Sequence, residues 1–392
     1  MPRAYFAGLS RNVILLAIAS LFTDISTEML YPVLPVFLTQ TLGASGSIVG
    51  LIDGCVQSAQ NIAQGISGTL SDRLRQRKSI ALVGYFLAAI SKPLMGLSTS
   101  WMGLFGARML DRLGTGTRSA PRDALIASSV DEKNRGRAFG LEGTGDNIGA
   151  FLGPLLAAFL LSVSHVDIRS MFYFAFIPGL AAFCMVLFVK ENTEAVSVKP
   201  RAGVGVKHMP TIYWKYLLVT ALFGIGCSSN AFLILRMQET GGSLEATILI
   251  YSAFNLVAAL VSYPAGYLSD HWGRRTMLLV SFLVFLIAYL GFALSTNVVL
   301  ISCLFVSYGI YQGIFRSVGK ALAADLVAAE LRATGIGWYS ATVGLFQLAA
   351  SIIAGELWDH IGHAAVFYNG AIFAAVGIIG LQMLLPKGTG NA

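Results

Sequence analysis

Asp24 and Glu28 stand one helical turn apart inside an apolar run of about residues 12–38, which puts both carboxylates on one face of one helix. A carboxylate at membrane depth costs roughly 2.5 to 3.5 kcal/mol to insert. It therefore requires a cationic partner, a bound proton or a wet cavity. Two readings stay open for the pair: a structural salt bridge, or a titrating site in a cavity wall. In a later run, at about residues 101–126, Arg108, Asp111, Arg112, Thr115, Arg118, Ser119 and Arg122 recur every three or four residues and form one hydrophilic face. Guanidiniums in such a stripe are expected to pair with Asp24, Glu28, Asp53 or Asp146, and any surplus would hold an anionic group. At about residues 138–161, Glu142 and Asp146 share a face with Gly149 and Gly153, and Pro154 follows. Small residues at that spacing let two helices approach closely, and the proline permits flexing. Packing accounts for the glycines but not for the carboxylates.

The elements that must hold these groups are long apolar helices. The chain is 55% hydrophobic and only 12% charged, with a mean hydropathy of +0.70. A soluble core of that apolarity would have no polar surface to cover it. Six apolar runs, at about 12–38, 47–70, 79–97, 101–126, 138–161 and 171–189, precede a polar break. Six more follow, at about 214–236, 244–268, 276–294, 298–322, 335–357 and 364–385. About 20 residues suffice to cross a bilayer, so each run is a candidate span. The expected fold is an all-α membrane protein of twelve transmembrane helices, with residues 1–192 as one six-helix bundle, 193–213 as a linker and 214–392 as a second bundle. In the first run Tyr31, Pro32 and Pro35 follow the two carboxylates, and the prolines predict a bend there. In the second, Asp53, Gln57, Asn61 and Gln64 form a polar stripe that must turn away from lipid. In the third, Lys92 is placed to snorkel towards the membrane edge.

Between the second and third runs lies a polar, basic knot from Gly68 through Asp72, Arg73, Arg75 and Arg77 to Lys78. It recurs 198 residues later as Gly266, Leu268, Ser269, Asp270, Gly273, Arg274 and Arg275. Six helices fill that offset, and an even number of crossings returns both copies to the same membrane face. Basic residues gather on that face: Arg3, Arg11, Arg73 to Lys78, Arg122 to Arg137, Lys190 to Lys215, Arg274, Arg275, Arg332 and Lys387, against little beyond Arg169 on the other. This asymmetry predicts both termini in the cytoplasm. It also explains the net charge of +7 without nucleic acid.

Cys55, Cys184, Cys227 and Cys303 sit singly in apolar runs and read as packing residues. Asp359, His360 and His363 in one loop are too few to predict a metal site, and no cofactor is expected. There is no His-Glu-x-x-His, no nucleophile signature and no soluble domain, so the sequence gives an enzyme no support.

Assembled, these residues resemble the major facilitator superfamily along nearly the whole chain. The loop signature Gly-x-Leu-Ala-Asp-Arg-x-Gly-Arg-Lys is matched by Gly266, Leu268, Asp270, Gly273, Arg274 and Arg275, with His271 in place of the arginine. The first copy keeps Gly68, Leu70, Asp72 and Arg73 and has Arg75 where glycine is usual. The fourth-span signature resembles Arg108 onward, with Asp111 and Arg112 at its Gln and Gly positions, and Gly145, Gly149, Gly153 and Pro154 look like the antiporter signature of the exporters.

The resemblance implies alternating access, with Gly68, Asp72, Arg73, Gly266, Asp270 and Arg274 at a cytoplasmic gate. The expected function is secondary active transport of a small organic solute across the cell membrane, as proton-coupled export by a monomer. Coupling candidates are Asp24, Glu28 and Asp146. Solute or counter-ion candidates are Tyr31, Arg108, Asp111, Arg112 and Arg118, with Arg236 and Arg316 facing them from the second half. The alternatives are a proton-coupled importer of an organic anion and a transport-inactive membrane receptor for a solute.

Overall fold

The computed structural model describes residues 10–74, 76–130, 135–164, 166–191, 209–327 and 332–385. The side chains of Asp72, Arg73, Asp270 and Arg332, and most of the expected linker, lie outside the described residues. Among the described residues the regular structure is helical: α1 (Arg11–Glu28), α2 (Gly46–Leu74), α3 (Arg77–Leu97), α4 (Trp101–Ser128), α5 (Arg135–Ser162), α6 (Ile168–Leu187), α7 (Thr211–Gly226), α8 (Asn230–Glu239), α9 (Leu244–Trp272), α10 (Arg274–Leu294), α11 (Val298–Asp325), α12 (Arg332–His360) and α13 (His363–Leu384). Polar side chains start many of them. Ser10, Ser100, Asp167, Ser243 and Asn297 each accept a hydrogen bond from a first-turn N–H, satisfying donors that have no partner within the helix.

Nine segments among the described residues are long and apolar enough to cross a membrane. Helices α1, α2 and α4 are not among them, and these three carry Asp24 and Glu28, the Asp53 stripe and the arginine stripe. Their polar faces lower the hydropathy that would mark them as spans.

The chain divides into two compact units, Met1–Gly43 with Cys55–Lys199 and Ala44–Gly54 with Pro200–Ala392. In the first, α1 packs on α5 and α6, and α3 packs on α4 and α6. In the second, α7 packs on α12 and α13, α10 on α11 and α13, and α9 on α11. The shared pattern is the structural counterpart of the repeated loop motif.

The first helix of each unit is interrupted. Helix α1 stops at Glu28, the chain turns through residues 29–33, and helix resumes at Leu34–Val36 and in the π-turn Phe37–Thr41. Pro32 and Pro35 cannot donate to the ladder, so the expected bend is present as a break. The expected run 214–236 is not continuous either: α7 ends at Gly226 and α8 begins at Asn230. No proline marks this break. Ser229 makes it, capping α8 by accepting from the Ala231 N–H at 3.1 Å.

The units differ in what fills them. The second is aromatic: Phe223 stacks on Phe282 at 3.8 Å, and Phe285 stacks on Tyr289 at 4.0 Å. Tyr289, Tyr308 and Tyr311 are buried near the α7–α8 break. There Tyr289 shares a 2.9 Å hydrogen bond with Ser228 and Tyr311 contacts the Cys227 sulfur. Among the described residues the first unit instead gathers most of the buried charge, at Lys92, Arg108, Asp111, Arg118 and Glu142.

Candidate functional site

Charge in the first unit is organised as two clusters along α4. The first centres on Asp111, which has no exposed surface. Lys92 Nζ donates to Asp111 Oδ1 at 2.6 Å, Arg108 donates to Oδ2 at 3.2 Å, and Arg112 Nε lies 3.8 Å from Oδ2. Arg112 also donates to Gln60 Oε1 at 3.2 Å, and the Arg108 guanidinium stands 5.9 Å from the Tyr31 ring. Three cations thus surround one carboxylate. Lys92 corrects the snorkelling expectation: it is only 2% exposed because its side chain crosses from α3 to α4. An ammonium and a carboxylate taken out of water together must lie this close to offset their desolvation.

The second cluster lies nearer the loop-motif ends of the helices. Asp24 is within electrostatic range of Asp146, Glu28, Arg118 and Arg122. Arg118 is buried, with its guanidinium 4.8 Å above the Tyr85 ring, a favourable position for a cation over a π face. Its Nε, like Asp146 Oδ1 and Tyr85 Oη, is buried with no hydrogen-bond partner among the described residues. Arg122 pairs with Glu142 at 2.7 Å and with its neighbour Asp123 at 2.9 Å, and donates to Ser20 Oγ at 2.9 Å.

Helices α1 and α5 bring these carboxylates together through the glycine stripe. A Cβ placed on Gly145 would stand 2.5 Å from the Ala17 carbonyl oxygen; on Gly149, 2.6 Å from the Leu21 oxygen and 2.7 Å from Asp24 Cβ; on Gly153, 2.8 Å from the Met29 nitrogen. No side chain fits at those distances, so glycine sets the interhelical approach. Pro154 follows Gly153 within α5.

The remaining sequence candidates fall elsewhere. Arg236 is buried at the far end of α10, donating to Glu239 Oε2 at 2.7 Å and to the Phe292 and Ser295 carbonyls at 3.1 and 3.0 Å. Two of its nitrogens close that helix end and the third holds Glu239 one turn on along α8. Arg316 and Lys320 are exposed on α11. Asp53 accepts from the Ser229 hydroxyl, inside the second unit. Asp359 accepts from the Gly46 and Ser47 N–H groups at 2.9 and 2.7 Å, while His363 pairs with Glu239 at 2.6 Å and His360 with Glu356 at 3.2 Å. The three loop residues therefore turn to three separate partners.

In the loop motifs, a Cβ on Gly68 would meet Ala120 Cβ at 3.2 Å, and one on Gly266 would meet nothing within 4 Å. Arg274 bonds Asp325 at the end of α11 and donates to Ser269 Oγ at 3.1 Å. Gly273, between α9 and α10, has φ +86°, a conformation open to glycine at little cost.

Gln60, Ser20, Tyr85 and the Lys92–Asp111 pairing were not legible as site components. A polar residue one position off a stripe, or a lysine beside a proline, carries no signal until the neighbouring helix is in place.

Comparison with known proteins fits this architecture. An uncharacterised MFS-type transporter of Methanocaldococcus jannaschii is 35% identical over 374 residues, covering 94% of this chain and 93% of the relative. A protein of Cupriavidus pinatubonensis named as a probable 4-methylmuconolactone transporter is 27% identical over 379 residues, covering 91% and 85%. The crystal structure of a POT family transporter in complex with 5-aminolevulinic acid superposes with a TM-score of 0.79 at 13% identity, covering 96% of each chain. At that identity the likeness speaks for the fold alone. The family model described as Major Facilitator Superfamily matches residues 16–236 and 216–391, and the chain belongs to that superfamily of membrane transporters.

Proposed function

We propose that the protein is a proton-coupled secondary transporter that exports a small organic solute across the cell membrane in exchange for protons. The observation that carries this reading is the gathering of Asp24, Glu28 and Asp146 with Arg118 and Arg122 inside one unit. Like charges held together in a low-dielectric interior favour taking up a proton. A neighbouring guanidinium favours releasing it. A group balanced between the two can bind protons differently in two conformations, and only such differential binding lets a proton gradient drive a conformational cycle. Export is supported by the likeness of the Gly145, Gly149 and Gly153 stripe to the antiporter signature. Basic residues gathered on the loop-motif face support the orientation, with both termini in the cytoplasm.

Import of an organic anion is the second reading. Its support is the cluster of Lys92, Arg108 and Arg112 about Asp111, together with the relative named as a probable 4-methylmuconolactone transporter.

Purified protein in liposomes with a trapped pH dye, challenged with a panel of anionic, cationic and neutral solutes, tests both. Under the export reading at least one solute gradient drives protons the opposite way. Protons that travel with an anion favour import. Solute movement without any proton movement removes both.

A further inference from the structure

We propose that Glu142 is a proton-relay residue, carrying protons between the interior carboxylates Asp24 and Asp146 and water at the loop-motif end of the first unit. The proposal rests on the proton-coupled reading above.

Glu142 is buried at 7% exposure, one helical turn from Asp146 on α5. Asp146 is three residues from Gly149, the position that abuts Asp24. On α1, Ser20 lies one turn from Asp24 and donates to Glu142 Oε1 at 3.2 Å. Glu142 and Asp146 therefore stand one turn apart on α5, roughly 5 to 6 Å between their Cβ atoms, and Asp24 lies within electrostatic range of Asp146 from α1.

Neutralising one member of a buried ion pair normally strands the other. Arg122 has a second anchor. Its Nε and NH2 donate to Asp123 Oδ1 at 3.0 and 2.9 Å, and its NH1 donates to Ser20 Oγ at 2.9 Å. Asp123 is 42% exposed, so the arrangement reaches solvent. Glu142 can thus take a proton while the Arg122 guanidinium stays paired. The groups facing this step are Arg118, Arg122 and Asp123 from α4, Asp146 from α5, Ser20 and Asp24 from α1, and Tyr85 from α3.

In the step itself, a water entering between the two carboxyls gives one proton to Glu142, forming its new O–H bond and discharging its negative charge, and takes the proton of protonated Asp146, whose O–H electron pair stays on Asp146 as carboxylate, so that the water is regenerated. Glu142 then releases the proton to water beside Asp123, and Arg122 re-forms its contact. Asp146 Oδ1, buried and without a hydrogen-bond partner among the described residues, is the oxygen open to this exchange.

Infrared difference spectra of the full-length protein after a jump from about pH 8 to about pH 5 test the relay with the proton as the only probe. Glu142→Gln is expected to lose one protonated-carboxyl band and to protonate the remaining carboxyls roughly a hundredfold more slowly, the scale of a lost acid–base group. Glu142→Asp, which keeps a carboxyl, is expected to restore both. A Glu142→Gln spectrum and rate equal to wild type overturn the relay and leave the coupling reading intact. A wild-type protein with no pH-dependent carboxyl band overturns both.

Discussion

Lys92 on α3 and Asp111 on α4 form a fully buried ion pair, 2.6 Å from ammonium nitrogen to carboxylate oxygen, with Arg108 on the second oxygen. Removing one partner leaves an uncompensated charge in a dry interior, at a cost of about 3 to 5 kcal/mol. Asp111→Asn is therefore expected to lower the thermal midpoint in detergent sharply. Lys92→Met with Asp111→Leu is expected to recover part of that loss. An Asp111→Asn protein that melts with wild type contradicts the pairing.

The α1–α5 contact predicts opposite outcomes for two glycines on one helix. Gly149→Ala would push a methyl to 2.6 Å from the Leu21 carbonyl oxygen, whereas Gly143 has nothing within 4 Å. Over-packing of this kind costs about 1 to 3 kcal/mol. Ala in place of an unobstructed helical Gly gains up to about 1 kcal/mol. Thermal melts of the two variants are expected to move in opposite directions.

Arg112 lies at the edge of the Asp111 cluster, reaching across to Gln60 on α2. Arg112→Gln is expected to abolish solute movement in liposomes while leaving a folded, monodisperse protein in the membrane. Transport at the normal rate by this variant removes Arg112 from the solute pathway.

The turn between α9 and α10 gives a local prediction. Gly273 holds φ +86° and ψ 138°, a region that a side chain enters only with strain, and Ala there costs roughly 1 to 3 kcal/mol. Gly273→Ala is expected to lower the melting point by that measure, and Arg274→Ala, which loses Asp325 and Ser269, to destabilise the same end of the unit. Proteolysis rates at the α9–α10 turn, faster in both variants, check this.

Much of the fold was legible because it depends on patterns along the chain. The length of the apolar runs and the recurrence of Gly68 and Asp72 at Gly266 and Asp270 gave the helices and their duplication. Pro32 and Pro35 announced the first break, whereas the break at Cys227 to Ser229, made by a serine cap, gave no comparable sign. The site was legible only as a set of faces. Helical spacing put Arg108, Arg112, Arg118 and Arg122 on one stripe. Which carboxylate each arginine meets depends on helix rotation and crossing, and Asp111, a member of the same stripe, took the partners expected of other helices. Lys92 was misplaced for the same reason, since a snorkelling lysine and a buried one look alike until the facing helix is known.

Proton flux through Asp24 tests the account most directly. With wild-type protein in liposomes carrying a trapped pH dye, a gradient of a transported solute is expected to drive protons the other way. With Asp24→Asn, solute exchange across equal concentrations is expected to continue while the dye signal disappears. Equal dye signals from the two proteins would contradict the assignment of coupling to this carboxylate cluster.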